Sequence, residues 1–569
     1  MRYCDNAIRP CAAMAELWLN GGELRLVSMK ELIMKKLHEN YGEITPVKSS
    51  ALGGRIRKSA ALALIIVCVF SAGVSRAEKD LVPVKEKTLS NGITLLMVER
   101  HDEPSVAGGW VAHVGASNER PGITGIAHLF EHMMFKGTET IGTTDYKKDQ
   151  EILAEQEQVR DEMRKEEAKM RAEYRKGEID DMLKPENKTP RWRELNKKFN
   201  ELVAAERKII VKNEFDQIYS AAGGSQMNAF TTEDMTAYFV NVPANKLELW
   251  MWMESERIRH PVFREFYSER DVVFEERRMR TDSTPLGKFS EEGESMFWES
   301  VPYHWPVVGW PSDIEAISKA QADDFYGLFY SPQNITLILV GDFKPVDAER
   351  LAEKYFERIP RGKKDPPDVV TLEVPQAAEK RMYAEAEANP SADLNWHTVP
   401  FGHKDSYALQ VMARLLETQT GRLYKSMVLG SKSATEVYAS QESRKWAGSF
   451  TAGGEAAEGK TPEQVEQGVL AEIEKLKHEP VPDHELQKVK NDFAAGEYRK
   501  LSSNFSVLYQ LIRDEGEGGW REINDAGPKI QAVTAADVQR VAKKYFTKEN
   551  MMVGIYTRKA PGGGKEAVQ

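Results

Sequence analysis

His128, Glu131 and His132 stand in the order His-x-x-Glu-His within the stretch Gly125-Ile-Ala-His-Leu-Phe-Glu-His-Met-Met-Phe-Lys-Gly-Thr138. On a helix the two histidines fall four residues apart, leave the same face and can reach one ion. Two imidazoles are half of a zinc site. Glu131 projects near that face without having to bind the ion, and from there it could take a proton from a water the ion activates. Thr124 is placed to cap the helix start and Gly137 to end it, which leaves a short apolar helix whose polar side chains are those of the motif.

The chain that must position these residues has 569 of them, enough for more than one sizeable core. Its mild acidic excess, a net charge of −10, gives no sign of nucleic-acid binding. Arg55-Ile-Arg-Lys58, the apolar run from Ser59 to Val74 and Ser75-Arg-Ala77 form a basic region, an apolar core and a small-residue cleavage site. Residues 1–77 therefore read as an export region, with Met29 and Met34 as alternative starts. The run is short for a transmembrane anchor, so no stable anchor is expected after cleavage. Cys4, Cys11 and Cys68 all precede that point, and the chain from Glu78 has no thiol and can form no disulfide. Export without cysteines fits an oxidising compartment, a bacterial periplasm best.

Lys87 to Val98 contains an Asn91-Gly92 turn between apolar runs, a hairpin signal, and Val106 to Val114 reads as a further strand. From about Tyr146 to Lys212 the chain is crowded with Glu, Lys and Arg, with sparse apolar residues at helical spacing. This predicts a solvated helical hairpin, inserted as an exposed excursion, with a docking arm for a partner as the functional alternative.

Gly223-Gly-Ser-Gln-Met-Asn-Ala-Phe-Thr-Thr-Glu-Asp-Met-Thr-Ala-Tyr-Phe-Val240 follows, then Glu269-Arg-Asp-Val-Val-Phe-Glu-Glu276. Taken with His128 to His132, these stretches resemble the pitrilysin/insulinase family of zinc peptidases, the inverzincins, over nearly all of the chain from Leu81 to Tyr556. The resemblance implies that His128 and His132 bind one zinc ion per chain, that Glu131 is the catalytic base, that Glu276 is the third ligand and that Glu269 supports the site. It also implies that Asn228 and Ala229 begin an exposed sheet edge to which a peptide substrate adds itself as a strand. Helix geometry agrees with the acid pair. A helix capped by Ser268 would put Glu269 and Glu276 on one face, with Val272 and Val273 packed between them and Glu275 turned about 100° away. Without the histidines the two acids would read as surface carboxylates beside Arg270 and Arg277. In relatives the third ligand is closer in sequence to the histidines, and here the charged hairpin intervenes, at little cost in loop closure.

An internal repeat runs through the rest. Ile317-Ser318, Ala320, Phe329-Tyr330 and Asn334 recur as Val533-Thr534, Ala536, Tyr545-Phe546 and Asn550 at an offset of 216 residues, and Pro104-Ser105 with Trp110 recurs as Pro390-Ser391 with Trp396 at 286. Extended without gaps, the second alignment lays the His128–His132 motif on Arg414-Leu-Leu-Glu-Thr418, so the second copy has no metal histidines. The expected fold is α+β: two homologous domains, each a mostly antiparallel sheet with helices packed on one face. The expected segments are the export region 1–77, a zinc-binding domain 78–363 with its insertion at about 146–212, a linker 364–372, a metal-free domain 373–560 and a disordered tail 561–569.

The family's working chamber needs four such domains, so the resemblance implies a second homologous subunit. In related single-half enzymes the metal-free domain supplies an Arg and a Tyr near the substrate. Here Gly421-Arg-Leu-Tyr-Lys-Ser-Met-Val428 begins the corresponding motif, but Val428 and Thr435 occupy those positions, with Tyr438 as a substitute for the Tyr. That absence favours a heterodimer over a homodimer. The reading is an exported zinc endopeptidase acting on peptides or unfolded segments. Its alternative is a non-catalytic peptide-holding subunit. A remoter one is a nucleotide hydrolase, since Gly454-Glu-Ala-Ala-Glu-Gly-Lys-Thr461 has the spacing of a phosphate loop; against it, Glu455 and Glu458 would put negative charge in the cradle, and Thr461-Pro462 reads better as a helix cap. His113, His397 and His403 lack ligand spacing and read as structural.

Overall fold

The computed structural model describes residues 80–559 apart from Leu183, so the export region 1–77 and the tail 561–569 lie outside the described residues. Six strands form the first sheet: β1 (Lys85–Thr88), β2 (Thr94–Glu99), β3 (Ser105–Ala112), β4 (Ser225–Thr231), β5 (Thr236–Pro243) and β6 (Ile335–Gly341), in the order β1-β2-β6-β3-β5-β4. Only the β2–β6 pair is parallel. The Asn91-Gly92 hairpin forms as its sequence predicts: Gly92 takes φ of 100°, and the buried Asn91 side chain donates to the carbonyls of Phe356 and Ile359.

The helices of this half that matter for the site are α1 (Ile126–Met133), α2 (Tyr146–Lys176), α3 (Pro190–Glu206), α4 (Leu247–Arg259), α5 (Phe266–Arg277), α6 (Gly287–Phe297) and α7 (Lys319–Phe329). α1 lays Ile126, Leu129, Phe130 and Met133 into a core with Trp110, Tyr238, Trp250 and Tyr330. The charged stretch forms the α2–α3 hairpin, and one face of it is far from solvated. Val159 and Met163 pack with Leu195 and Phe199, and Asp149 makes a buried ion pair with Arg264 just before α5.

The second sheet has β7 (Lys380–Ala386), β8 (Ser391–Thr398), β9 (Ala434–Ser443), β10 (Gly448–Ala456) and β11 (Met551–Arg558), in the order β7-β11-β8-β10-β9, with β7–β11 parallel. Its helices α8 (Ser406–Glu417), α9 (Pro462–His478) and α11 (Ala535–Tyr545) share a core with Leu394, Trp396, Phe450 and Val553. α10 (Asn504–Glu517) belongs to the same half of the sequence but goes elsewhere. Its Val507, Leu508, Leu511 and Ile512 cover the other face of the first sheet, against Val98, Val111 and Ile338. The exchange is reciprocal. α6 sends Phe289 onto Tyr556 and Phe297 onto His397, at ring separations of 4.1 and 3.9 Å, on the opposite face of the second sheet.

The repeat appears as two copies of one device. Ser318 and Thr534 each cap a helix, and Asn334 and Asn550 each bond back across a strand pair, Asn334 to the carbonyls of Phe329 and His113, Asn550 to those of Tyr545 and His397. The strand register corrects the sequence alignment by two residues. Ile335 faces Ala112 and Met551 faces Trp396, so β3 maps onto β8 at 284 residues, not 286. The gapless equivalents of His128, Glu131 and His132 become Met412, Leu415 and Leu416, all of them buried apolar side chains. Either way the metal histidines have no counterpart. Among the described residues no helix is long and apolar enough to cross a membrane.

Candidate active site

The helix α1 that carries the motif starts differently from its sequence expectation. Gly125, at φ 91°, is its N-cap, and the buried carboxylate of Glu119 accepts the N–H groups of Gly125 and Ala127 at 2.8 Å. A carboxylate suits orphan donors at a helix start. Thr124 instead donates to Asp313 and accepts from the Trp310 N–H, which ties the helix entrance to a later loop. Gly137 has φ of 98°, and a side chain there would run into the Ile141 carbonyl, so the turn after α1 needs glycine.

α5 begins at Phe266 after Glu265, so Ser268 lies inside the helix and does not cap it. Glu269 and Glu276 nevertheless share the face turned to α1. Val273 between them is fully buried, but Val272 is exposed rather than packed. Glu275 pairs outward with Arg278.

These two helices bring the predicted residues together. His132 Nε2 lies 3.4 Å from Glu276 Oε2, and His128 Nε2 lies 3.8 Å from Glu276 Oε1. One ligand atom from each of His128, His132 and Glu276 falls within 4.8 Å of the others, the only such group among the described residues. Two imidazole nitrogens and one carboxylate at that spacing fit the donor set of a catalytic zinc site, which keeps a fourth position open. Burial pulls His128 down to about 3, so its ring is neutral, as a ligand must be. On the far side of His132, Nδ1 is 3.4 Å from Glu269 Oε2, the arrangement by which an outer carboxylate fixes a ligand ring. Burial works against charge on His132, but Glu269, Glu276 and Glu131 outweigh it and raise its proton affinity.

Glu131 is partly buried, and burial raises its proton affinity although the Thr231 hydroxyl, donating at 2.7 Å, works the other way. A carboxylate whose proton affinity burial raises is a better proton acceptor than a solvated one. Asn228 and Ala229 lie on β4, the edge strand of the first sheet. With Glu131, His132, Lys136 and Glu269 they line one cavity of about 520 Å³. Asn228 Oδ1 accepts the N–H of Ala229 at 2.9 Å, so the edge's own side chain covers one of its backbone donors.

Sequence reasoning missed three partners of the site. Thr231 is two residues past Ala229 on the same strand face. Lys136, four residues after His132, reaches Glu269 and, at 3.3 Å, Glu265. Arg280, four residues after Glu276, contacts Glu276 Oε1 at 2.8 Å. The helical repeat is the signal that could have found the last two. Tyr438, the substitute considered for the missing Tyr, donates to Asp393 of β8, across the intervening β10. The phosphate-loop pattern dissolves into other structure: Gly454 to Ala456 end β10, laddered to β8 and β9, and Thr461 caps α9 in a capping box with Gln464.

This architecture has counterparts. The family model described as Insulinase (Peptidase family M16) matches residues 95–176 and 208–290, the span that holds both site helices and β4, and leaves 177–207 of the hairpin outside. The model described as Peptidase M16 inactive domain matches residues 316–493. Zinc protease PqqE of Helicobacter pylori is 25% identical over 504 residues, 85% of this chain and 95% of that protein. The crystal structure of a protease from Helicobacter pylori superposes with a TM-score of 0.68 at 22% identity, covering 84% of this chain and 100% of the other. The periplasmic protease PqqL from Escherichia coli matches at a TM-score of 0.61 and 16% identity, over 84% of this chain and 49% of PqqL. With both models matched in order along one chain, and the histidine pair inside the first, the chain belongs to the pitrilysin/insulinase family of peptidases, family M16.

Proposed function

We propose that this chain is a zinc-dependent endopeptidase that cleaves peptides or unfolded segments, with Glu131 as general base. The observation that carries the proposal is the convergence of His128, His132 and Glu276 to within 4.8 Å, beside a Glu131 that none of them engages and Thr231 holds. A zinc ion bound by the three residues would supply Lewis acidity, lowering the pKa of a water and polarising a carbonyl.

The protein's own residues do the rest. An extended substrate pairs with the free edge of β4, where backbone bonds grip varied sequences, and the Asn228 side chain must swing off the Ala229 N–H to admit it. Glu131 takes the proton of the attacking water as it adds to the scissile carbonyl, and returns that proton to the departing amine. Thr231 fixes which oxygen of Glu131 faces the water. Glu269, braced by Lys136, keeps the His132 ring from turning.

Relatives named as a zinc protease and as a periplasmic protease support the metal and an exported, periplasmic location for this chain. Val428 and Thr435 stand where single-half relatives have the substrate-binding Arg and Tyr, which favours a different chain as the second subunit.

The test is hydrolysis of a quenched-fluorescence peptide mixture by the chain from Glu78, with chelator and as Glu131→Gln. Activity abolished by both supports the reading. If a zinc-loaded chain stays inactive with every candidate partner subunit, it holds peptides without cutting them.

A further inference from the structure

β4 presents two chemically different faces beside its free edge. Alternation along a strand puts Met227, Ala229 and Thr231 on the side of α1, where Met227 and Ala229 join the first core and Thr231 bonds Glu131. Phe230 points the opposite way, toward the core on the other face of the sheet. There Phe230 meets Tyr509 of α10, at a ring separation of 5.6 Å, and Tyr509 also reaches Phe239 of β5 at 6.2 Å, with Phe505 behind at 5.5 Å from Phe239. Tyr509 keeps 38% of its surface exposed, and Phe230 and Phe505 are half-buried. The core under the sheet is thus continued outward as an aromatic ledge reaching the edge strand, although α10 comes from the other half of the sequence.

We infer that this ledge is a second side-chain subsite for the substrate, taking an aromatic or large aliphatic residue of the bound peptide. The inference rests on the proposal that peptides add to β4. A strand added there lies about 4.8 Å beyond it, and its side chains alternate between the two faces. Each one that turns away from the zinc side is carried over Phe230 and Tyr509, where an apolar ring gains burial and edge contacts and a hydroxyl or charge gains nothing. The edge also limits how many residues can be read. Gln226 has φ of 56° and the ladder to β5 is broken between Ser225 and Asn228, so regular pairing runs from Asn228 to Thr231 and the ledge selects one side chain, at most two. The zinc side and the ledge side then read neighbouring residues of the peptide with different preferences.

The experiment uses the full exported chain as Glu131→Gln, zinc-loaded, so that binding is read without cleavage. Two sets of fluorescein-labelled decapeptides carry Phe or Ser at every second position, in both registers, and affinities come from anisotropy. The Phe peptides should bind about tenfold more tightly than the Ser peptides. Adding Tyr509→Ser should reduce that ratio below about threefold with the Ser-peptide affinity unchanged, and Tyr509→Phe should keep it. A ratio that Tyr509→Ser leaves intact, or equal losses for both sets, would overturn the ledge while leaving the β4 edge in place. Absence of binding by every peptide would remove the edge reading and the ledge together.

Discussion

Thr231 Oγ1 donates a 2.7 Å hydrogen bond to Oε2 of Glu131, joining the last residue of the edge strand to the acid of the histidine helix. One contact therefore aligns the strand that would carry the peptide with the group that would take the water's proton. Thr231→Val keeps the shape and removes the donor. It is expected to lower kcat by about tenfold, the worth of a hydrogen bond to a charged group, with KM little changed. Because the bond favours the ionised acid, its loss should also move the acid limb of the kcat profile to higher pH. An unchanged profile would show that Thr231 does not touch the working acid.

Arg280 competes for Glu276, the acid proposed as the third ligand. Its guanidinium contacts Glu276 Oε1 at 2.8 Å, and an ion entering the site must share or displace it. The side chain is largely exposed, so the pair is weak, at most about 1 kcal/mol. Arg280→Gln should therefore tighten zinc binding by up to about fivefold in competition with a chromophoric chelator. Weaker binding in the variant would mean that Arg280 positions Glu276 for the metal instead.

Beneath α1 the first core holds a charge pair in an aromatic shell. Glu254 accepts from Trp110 Nε1 at 2.7 Å and from the Tyr219 hydroxyl at 2.6 Å, and pairs with Arg257. The Arg257 guanidinium lies 4.8 to 5.2 Å from the ring centres of Trp110, Phe135, Phe215 and Tyr238. Glu254→Gln leaves that cation buried without its counter-charge, which should cost about 3–5 kcal/mol in urea unfolding. Removing both charges as Glu254→Gln with Arg257→Met should recover part of the loss; a strictly additive double variant would refute the pairing.

The motif helix was legible in the sequence because a metal site needs fixed residue types at fixed spacing, and the Asn91-Gly92 hairpin because its turn demands glycine. The grouping of Glu276 with the histidines, and of Glu269 behind His132, came from a resemblance that the two helices' packing makes geometrically sensible. The helix starts were not legible. Thr124 and Ser268 both look like caps, but Glu119 reaches α1 from an earlier loop and α5 begins before Ser268. Glu119 lies six residues before the Gly125 cap, outside the spacing by which a capping side chain is recognised. Nor was Tyr509 beside Phe230 legible: strand alternation shows that Phe230 faces away from the site, but nothing local to either residue says that a helix nearly 280 residues later will cover that face.

The junction between α10 and the turn joining β4 to β5 stores a pH dependence. Glu517, at the end of α10, is pushed up to about 8, chiefly by burial and then by the neighbouring Asp234 carboxylate; Glu233, on the same turn, is pushed up to about 7, again by burial, with Arg444 opposing. An acid whose proton affinity is higher folded than unfolded favours the native state while protonated. Its contribution is complete below about pH 4 and is lost as the pH rises through the folded value near 8. Glu517→Gln cannot lose that proton. Its urea midpoint should match the wild type near pH 4, exceed it increasingly from about pH 5 to 8, and hold a constant lead above about pH 9. Midpoints that run parallel across the range would mean that Glu517 titrates as a solvated carboxylate and that the strand turn is not loaded by it.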